Sequence, residues 1–206
     1  MTGIIPISLK DIYHKERLRP PIAARIIVKS LTSTWEPVIK PKLIYNHWTG
    51  LVDGVRGHFG WIPKHMLIKG KWEESWSEKY RTLTLTNGST LQIMSHDQDL
   101  TDFSGASIHR IAVDEGPKSA LWRENLMRLR EGGSISLAMT PPDDESASWA
   151  AAWVYEIYDK GQPGPDKSPD IDSFTLFTEN NPYADQEKVK ILSRGLTEAQ
   201  REVRMH

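Results

Sequence analysis

The sequence predicts an α/β fold with a mostly parallel sheet flanked by helices. Short apolar segments, typical of buried strands, alternate along the chain with longer segments of helical spacing. A β-hairpin signal lies among them and places an antiparallel pair at one edge of the sheet. The 206 residues are enough for one well-buried domain, or for one domain with an extension.

The first half of the chain predicts a strand, two helical segments and the hairpin. Residues 22–29 are mostly apolar and predict a short buried strand. Residues 38–45 predict a helix, and residues 61–68 are apolar with helical spacing. The hairpin covers Arg81 to Met94, where two segments that alternate with period two flank Asn87-Gly88, a pair suited to a tight turn.

The second half alternates strands with helices, which favours parallel pairing. The predicted elements are a strand over 108–113, a helix that Pro117 opens and Gly132-Gly133 ends, a strand over 134–139, a helix from 143 to Gly161, a short strand over 173–177, and helices that begin at Asn181 and Thr197.

Composition excludes several classes of protein. The net charge of −1 gives no overall positive field for nucleic acid, although a local basic patch remains compatible with it. The absence of cysteine excludes disulfides and thiolate metal sites and fits a reducing compartment. No apolar run approaches the roughly 20 residues of a membrane span, and the start lacks a signal-peptide pattern. We therefore expect no membrane partner and a cytoplasmic location.

The segment Ile111-Ala112-Val113-Asp114-Glu115 carries the clearest chemical signal, because an apolar strand runs directly into two carboxylates. Burying an unpaired carboxylate is costly, so the pair is expected at the open end of the strand, where open α/β sheets bind ligands. Asp114 fits a magnesium ligand of the Walker B type, and Glu115 fits a general base that polarises water. The alternative is a strand followed by an acidic turn.

Thr140 ends the next apolar strand. A hydroxyl at that neighbouring tip could contact the γ-phosphate of ATP or the attacking water. The alternative is a strand-ending threonine before a proline turn.

Other candidates favour structural interpretations. His47, His58 and His65 lack the paired spacing of a metal site, so solvated or packing histidines are favoured. The eight tryptophans favour packing over an aromatic binding face. A loose basic cluster, diluted by glutamates, favours a solvated face over a DNA contact; it comprises Lys64, Lys69, Lys71, Lys79 and Arg81. Nothing selects among Arg123, Arg128 and Arg130 as an arginine that acts on a neighbouring subunit's nucleotide.

An ordered series of segments resembles the ATPase domain of the large terminase subunit of tailed bacteriophages, from about Pro21 to the C-terminus. The matching segments are Leu83–Thr90, Ser95–Asp99, Phe103–Gly105, Ile111–Glu115 with Pro117, Leu137–Pro141, Ser148-Trp149, Tyr155–Tyr158, Asn181–Tyr183 and Leu196-Thr197.

The resemblance implies a P-loop NTPase-like fold and ATP hydrolysis that drives DNA into the phage prohead. It implies that Asp114 coordinates Mg²⁺, that Glu115 is the catalytic carboxylate, and that Thr140 belongs to the segment coupling hydrolysis to DNA movement. The implied partners are double-stranded DNA, the phage portal protein, the small terminase subunit and other large-subunit copies in a ring, in the cytoplasm of the host cell.

The sequence departs from the family at both ends. It contains no Gly-x-x-x-x-Gly-Lys-Ser/Thr, the Walker A loop that binds phosphate. The family's nuclease domain also lies beyond the matching region. We therefore expect a domain incomplete at its N-terminus, with residues 1–21 as a remnant, 22–160 as the ATPase core with Walker B, and 161–206 as a linker followed by C-terminal strand and helices.

We expect little or no ATPase activity from this chain alone, because the Walker A loop supplies the phosphate cradle. Two alternatives stay open. One is a non-catalytic binding fragment, and the other is a different ATP-driven nucleic-acid translocase.

Overall fold

A computed structural model describes residues 19–43, 51–52, 55–56, 60–139 and 148–175, together with residues 185, 187, 188, 191 and 194. The chain forms two compact units, Met1–Ala138 and Met139–His206. The functional boundaries expected after residues 21 and 160 remain predictions.

A six-stranded sheet organises the first unit, and its spatial order is β4-β5-β6-β1-β7-β8. The strands are β1 (Ala23–Val28), β4 (Trp76–Ser77), β5 (Thr82–Thr84), β6 (Thr90–Ser95), β7 (Ile108–Asp114) and β8 (Leu129–Ala138), while β2 (Leu51–Val52) and β3 (Val55–Arg56) pair separately. The four strands β6, β1, β7 and β8 are parallel, and β4 to β6 are antiparallel. The predicted α/β class and the hairpin β5–β6 are confirmed, but the expected edge position of the hairpin is wrong, because β4 pairs outside β5 and forms the edge of the sheet.

Five helices have both ends defined among the described residues. They are α1 (Leu31–Ile39), which is π-helical, then α2 (Lys40–Leu43), α3 (Trp72–Ser75), α4 (Ser119–Leu126) and, in the second unit, α5 (Ser148–Gly161). Single 3₁₀ turns cover Lys64–Met66, Ile68–Gly70 and Leu100–Phe103.

One face of the sheet packs against α1 and α2. Its buried core comprises Val28, Trp35, Ile39, Leu43 and Ile93. Trp35 stacks on Trp76 with ring centroids 5.5 Å apart, and Trp76 stacks on Trp72 at 5.1 Å. These three indoles therefore pack the antiparallel edge onto the core, as the packing interpretation of the tryptophans predicts.

A buried arginine organises the opposite face. Arg25 on β1 is 1% exposed, and its Nε donates to Gln92 Oε1 on β6 at 3.0 Å. Its Nη1 donates to Asn125 Oδ1 on α4 at 2.9 Å, and the guanidinium lies over the Phe103 ring. Burial lowers its pKa to about 10, with Arg128 acting in the same direction and Glu124 against it. These bonds fix α4 against the central strand.

Local structure differs from prediction around the first helix. It begins at Leu31, seven residues before the predicted start, because the Ser30 hydroxyl accepts a hydrogen bond from the Ser33 amide at 3.3 Å. The segment 61–68 forms no continuous helix and contains only short 3₁₀ turns.

The strand β8 also differs from prediction. The helix after Pro117 ends at Leu126, so Gly132-Gly133 does not terminate it. These glycines lie instead in a bulge of β8, because Ile108 pairs with Leu129 and the regular pairing resumes only between Arg110 and Ser134.

The structure describes only part of the strand and helices predicted for the C-terminal region. Residues 173–175 form no strand, and the rest of that predicted strand lies outside the described residues. In the helix predicted from Asn181, the described residues 187, 188, 191 and 194 are helical. The final predicted helix, from Thr197, lies outside the described residues.

Gly133→Ala should destabilise the first unit by about 1–3 kcal/mol. A Cβ at this position would lie 2.7 Å from the Arg130 carbonyl oxygen and 3.0 Å from that of His109, and both are backbone atoms that move only if the β7–β8 pairing shifts. Thermal unfolding followed by circular dichroism measures the effect. Gly164→Ala is the control, since no atom lies within 4 Å of its Cβ. Equal midpoints for the two variants would contradict the prediction.

Candidate functional site

The carboxyl ends of four parallel strands meet at one edge of the sheet. Val28 on β1 is in register with Ser95 on β6, and Asp114 on β7 is in register with Ala138 on β8. Ile27 pairs with Val113, so Val28 and Asp114 leave the sheet side by side. This edge is where ligands bind in open α/β sheets.

Asp114 is the last residue of β7, and its side chain lies on the sheet face shared with Val28. It is only 5% exposed, and no residue in the described ranges donates a hydrogen bond to its carboxylate. Burial raises its pKa to about 6; the neighbouring Glu115 charge adds to the rise, and the Lys29 ammonium opposes it. The strand end therefore holds a buried carboxylate whose charge is poorly compensated.

Glu115 adopts a strained backbone conformation directly after β7. Its φ of 65° lies in the left-handed region, which costs a non-glycine residue about 1 kcal/mol or more. Its amide donates to the Ala138 carbonyl oxygen at 2.8 Å, so pairing with β8 holds the turn in place. Its side chain is half-buried. Strain of this kind clusters at functional sites, which makes Glu115 a candidate for chemistry.

Two further polar residues border these carboxylates. Lys29 follows β1 and is exposed, and His96 follows β6 with its amide donating to the Val28 carbonyl oxygen at 3.0 Å. The His96 Nε2 is buried and has no hydrogen-bond partner among the described residues. Burial lowers the pKa of His96, Asp97 opposes that shift and Lys29 reinforces it. His96 is therefore held in its neutral form near neutral pH.

The sequence interpretation missed both of these residues. Each is the first residue after an observed strand, and this position becomes a usable signal once the neighbours of the strand are known. The order β6-β1-β7 depends on pairing between strands that are distant in sequence, so it cannot be predicted from local sequence patterns.

The chemistry of this edge suits a hard divalent cation. A buried carboxylate without hydrogen-bond donors is stabilised by bound positive charge. Mg²⁺ binds through one or two carboxylates while keeping waters or phosphate oxygens as its other ligands. Across the described ranges no cluster of three or more metal-binding side chains occurs, so a protein cage of the zinc type is not formed there. Asp114 and Glu115 fit magnesium better than zinc.

The structure describes only one of the four remaining sequence candidates. Thr140 falls outside the described residues, as do His47 and His58. His65 lines an open cleft with Lys64, away from the strand ends that carry Asp114.

Two members of the basic cluster contact their own surroundings. Lys69 forms an ion pair with Glu74 at 3.2 Å, and the Lys79 ammonium lies over the Tyr80 ring. These contacts favour the solvated face over a DNA contact. Arg128 pairs with Glu124 at 2.9 Å.

Comparison with known proteins gives a structural likeness without a sequence relative. No family model matches the chain, and no curated protein matches it in sequence. A solved structure of a mutant large terminase ATPase domain from Thermus phage P74-26 superposes with a TM-score of 0.51, over 89% of this chain and 74% of that one, at 14% identity. This chain has the fold of a phage large terminase ATPase domain. The terminase-like fold confirms the predicted architecture, and at this identity the likeness extends to the fold alone.

Within the part of the chain that the structure describes, no helix combines the length and apolarity needed to cross a membrane.

Asp114→Asn should stabilise the metal-free protein at pH 7.5, by on the order of 1 kcal/mol. The folded-state pKa of about 6 exceeds the unfolded value of 3.8, so the wild-type protein loses stability as pH rises between these values. The neutral amide avoids that loss, and its advantage should vanish below about pH 4. Urea unfolding with EDTA at both pH values measures it, with the exposed Asp102→Asn as control. An equal effect at both pH values would contradict this account.

Glu115→Gly should give a more stable protein than Glu115→Ala, by about 1 kcal/mol. Both variants remove the carboxylate, but only glycine relieves the cost of the positive φ. Glycine is ordinarily the less stable of the two, so the sign of the difference is diagnostic. Chemical denaturation of the pair measures it. Greater stability of the alanine variant would show that residue 115 is not held in the left-handed region.

Proposed function

We propose that this chain is a magnesium-dependent ATPase module of a phage DNA-packaging motor. The observation that carries the proposal is the buried carboxylate of Asp114, which lacks a hydrogen-bond donor in the described ranges and stands beside the strained Glu115. Both residues lie at the carboxyl edge of a sheet whose fold is that of a terminase ATPase domain.

Asp114 would hold Mg²⁺ in this site. When bound, the ion supplies positive charge to the β- and γ-phosphates of ATP. Asp114 is suited to this role because its carboxylate lies buried at the strand end and accepts no hydrogen bond from the described residues.

Glu115 is proposed to orient the attacking water and to accept its proton. The water oxygen then bonds to the γ-phosphorus as the bond between that phosphorus and the bridging oxygen of ADP breaks, which releases ADP and phosphate. The left-handed turn supports this role, because it directs residue 115 away from the regular alternation of the strand.

Coupling and partners belong to the same proposal. Thr140, two residues after β8, is proposed to pass the state of the nucleotide toward DNA movement. The proposed partners are double-stranded DNA, the portal protein, the small terminase subunit and further copies of this chain in a ring. The support is the terminase-like fold.

The 206-residue chain should bind Mg·ATP weakly and hydrolyse it slowly, since its sequence contains no Gly-x-x-x-x-Gly-Lys-Ser/Thr loop. Isothermal titration with Mg·ATP at millimolar concentrations measures the binding. Asp114→Asn should abolish the Mg²⁺-dependent part, whereas Glu115→Gln should keep binding and lose any turnover.

Two results would overturn the proposal. One is Mg·ATP affinity that is the same in wild-type protein and Asp114→Asn. The other is turnover that survives Glu115→Gln, because the proposed base would then be unnecessary.

A further inference from the structure

Lys29 occupies a central position at the carboxyl edge of the sheet. It is the first residue after β1, which is flanked by β6 on one side and β7 on the other. Ile27 is in register with Val113, and Val28 with Ser95. Lys29 therefore leaves the sheet between Glu115, which follows β7, and His96, which follows β6.

The Lys29 side chain is exposed and makes no ion pair or hydrogen bond with any residue in the described ranges. Its charge nevertheless acts on both neighbours, since it opposes the rise in the pKa of Asp114 and reinforces the fall in that of His96. The ammonium is therefore close enough to influence the candidate site electrostatically, and no described residue there forms an ion pair or hydrogen bond with it.

Cation binding would change the charge balance of this edge. A magnesium ion held by Asp114 would compensate the negative charges of Asp114 and the neighbouring Glu115. His96 is kept neutral by burial and contributes no positive charge near neutral pH. Among the described residues that directly follow β6, β1 and β7, Lys29 is the one that brings a positive charge to this edge, and the exposed Asp97 is the nearest acidic residue after β6. A lysine ammonium on a flexible stem is a common ligand of phosphate oxygens.

We propose that Lys29 binds a phosphate group of the nucleotide whose magnesium is held by Asp114. This inference rests on the proposed function and adds a phosphate ligand from β1 to the carboxylates of β7. Lys29 acts as a binding residue in this account, and it takes no part in proton transfer.

The test compares binding of the metal alone with binding of the metal–nucleotide complex. Lys29→Gln should weaken Mg·ATP about tenfold, the scale of one lost charge-assisted hydrogen bond. The same variant should bind Mn²⁺ alone as tightly as wild type or more tightly, because it removes a positive charge beside the carboxylates. Electron paramagnetic resonance measures free Mn²⁺, and isothermal titration measures Mg·ATP.

Three control variants and one unfolding measurement define the result. Lys29→Arg should restore most of the Mg·ATP affinity, and Lys71→Gln should have no effect, since it removes the same charge from an exposed lysine before α3. Asp114→Asn should abolish Mn²⁺ binding. Unfolding midpoints should be equal for wild type and Lys29→Gln, because the side chain is exposed and makes no described contact.

The outcomes separate the two proposals. If Asp114→Asn abolishes Mn²⁺ binding while Lys29→Gln leaves Mg·ATP affinity unchanged, the role of Lys29 is wrong and the metal site stands. If Mn²⁺ binds wild type and Asp114→Asn alike, the metal site itself is wrong, and the inference falls with it. If Lys29→Gln weakens binding of a duplex DNA oligonucleotide and leaves Mg·ATP unaffected, Lys29 contacts the DNA backbone and the nucleotide assignment is overturned.

Discussion

The parallel pairing of β1 on both of its sides is the constraint on which the site depends. Because β6 and β7 run in the same direction as β1, their carboxyl ends emerge in one row. Residues separated by up to 86 positions in the sequence, from Lys29 to Glu115, become neighbours through that pairing alone. Antiparallel pairing at either side would place one of these strand ends at the opposite edge. The direction of the strands therefore determines where the candidate site lies, and the side chains determine its chemistry.

Two residues at the same edge lower the stability of the fold, and packing elsewhere in the unit offsets this loss. Asp114 is a carboxylate in a buried position, and Glu115 holds a left-handed backbone. Neither the buried carboxylate nor the left-handed backbone stabilises the fold. Such departures from the residue preferences of folded proteins are expected at functional positions. The offset comes from the two packed faces. One is the core around Trp35, and the other is the Arg25 network that joins β1, β6 and α4.

Local chemistry made some elements predictable. Asn87-Gly88 is typical of a tight turn, so the hairpin was predictable from a few residues, whereas the edge strand β4 outside it was not predicted. The apolar run into Asp114 likewise located the end of β7 to within one residue. Where a competing local signal was stronger, prediction failed. Gly132-Gly133 indicated a helix end, but tertiary pairing with β7 drew those residues into a bulge of β8.

The site was predictable only in part for a related reason. Asp114 and Glu115 are adjacent in sequence and follow an apolar run, so they were recognisable as site candidates. Lys29 and His96 become candidates only when the order of the strands in the sheet is known. The sequence alone gives no reason to single out a lysine that follows an apolar run. The sequence therefore supplied the acidic half of the edge, and the sheet topology supplied its basic and neutral members.

The stack of Trp35, Trp76 and Trp72 has an optical consequence. Indoles with centroids 5.1–5.5 Å apart are close enough for their electronic transitions to couple, so this trio contributes to the ultraviolet dichroism of the first unit. The trio spans α1, β4 and α3, and lies on the antiparallel side of the sheet. The molecule thus contains an intrinsic spectroscopic probe of the antiparallel side of the sheet.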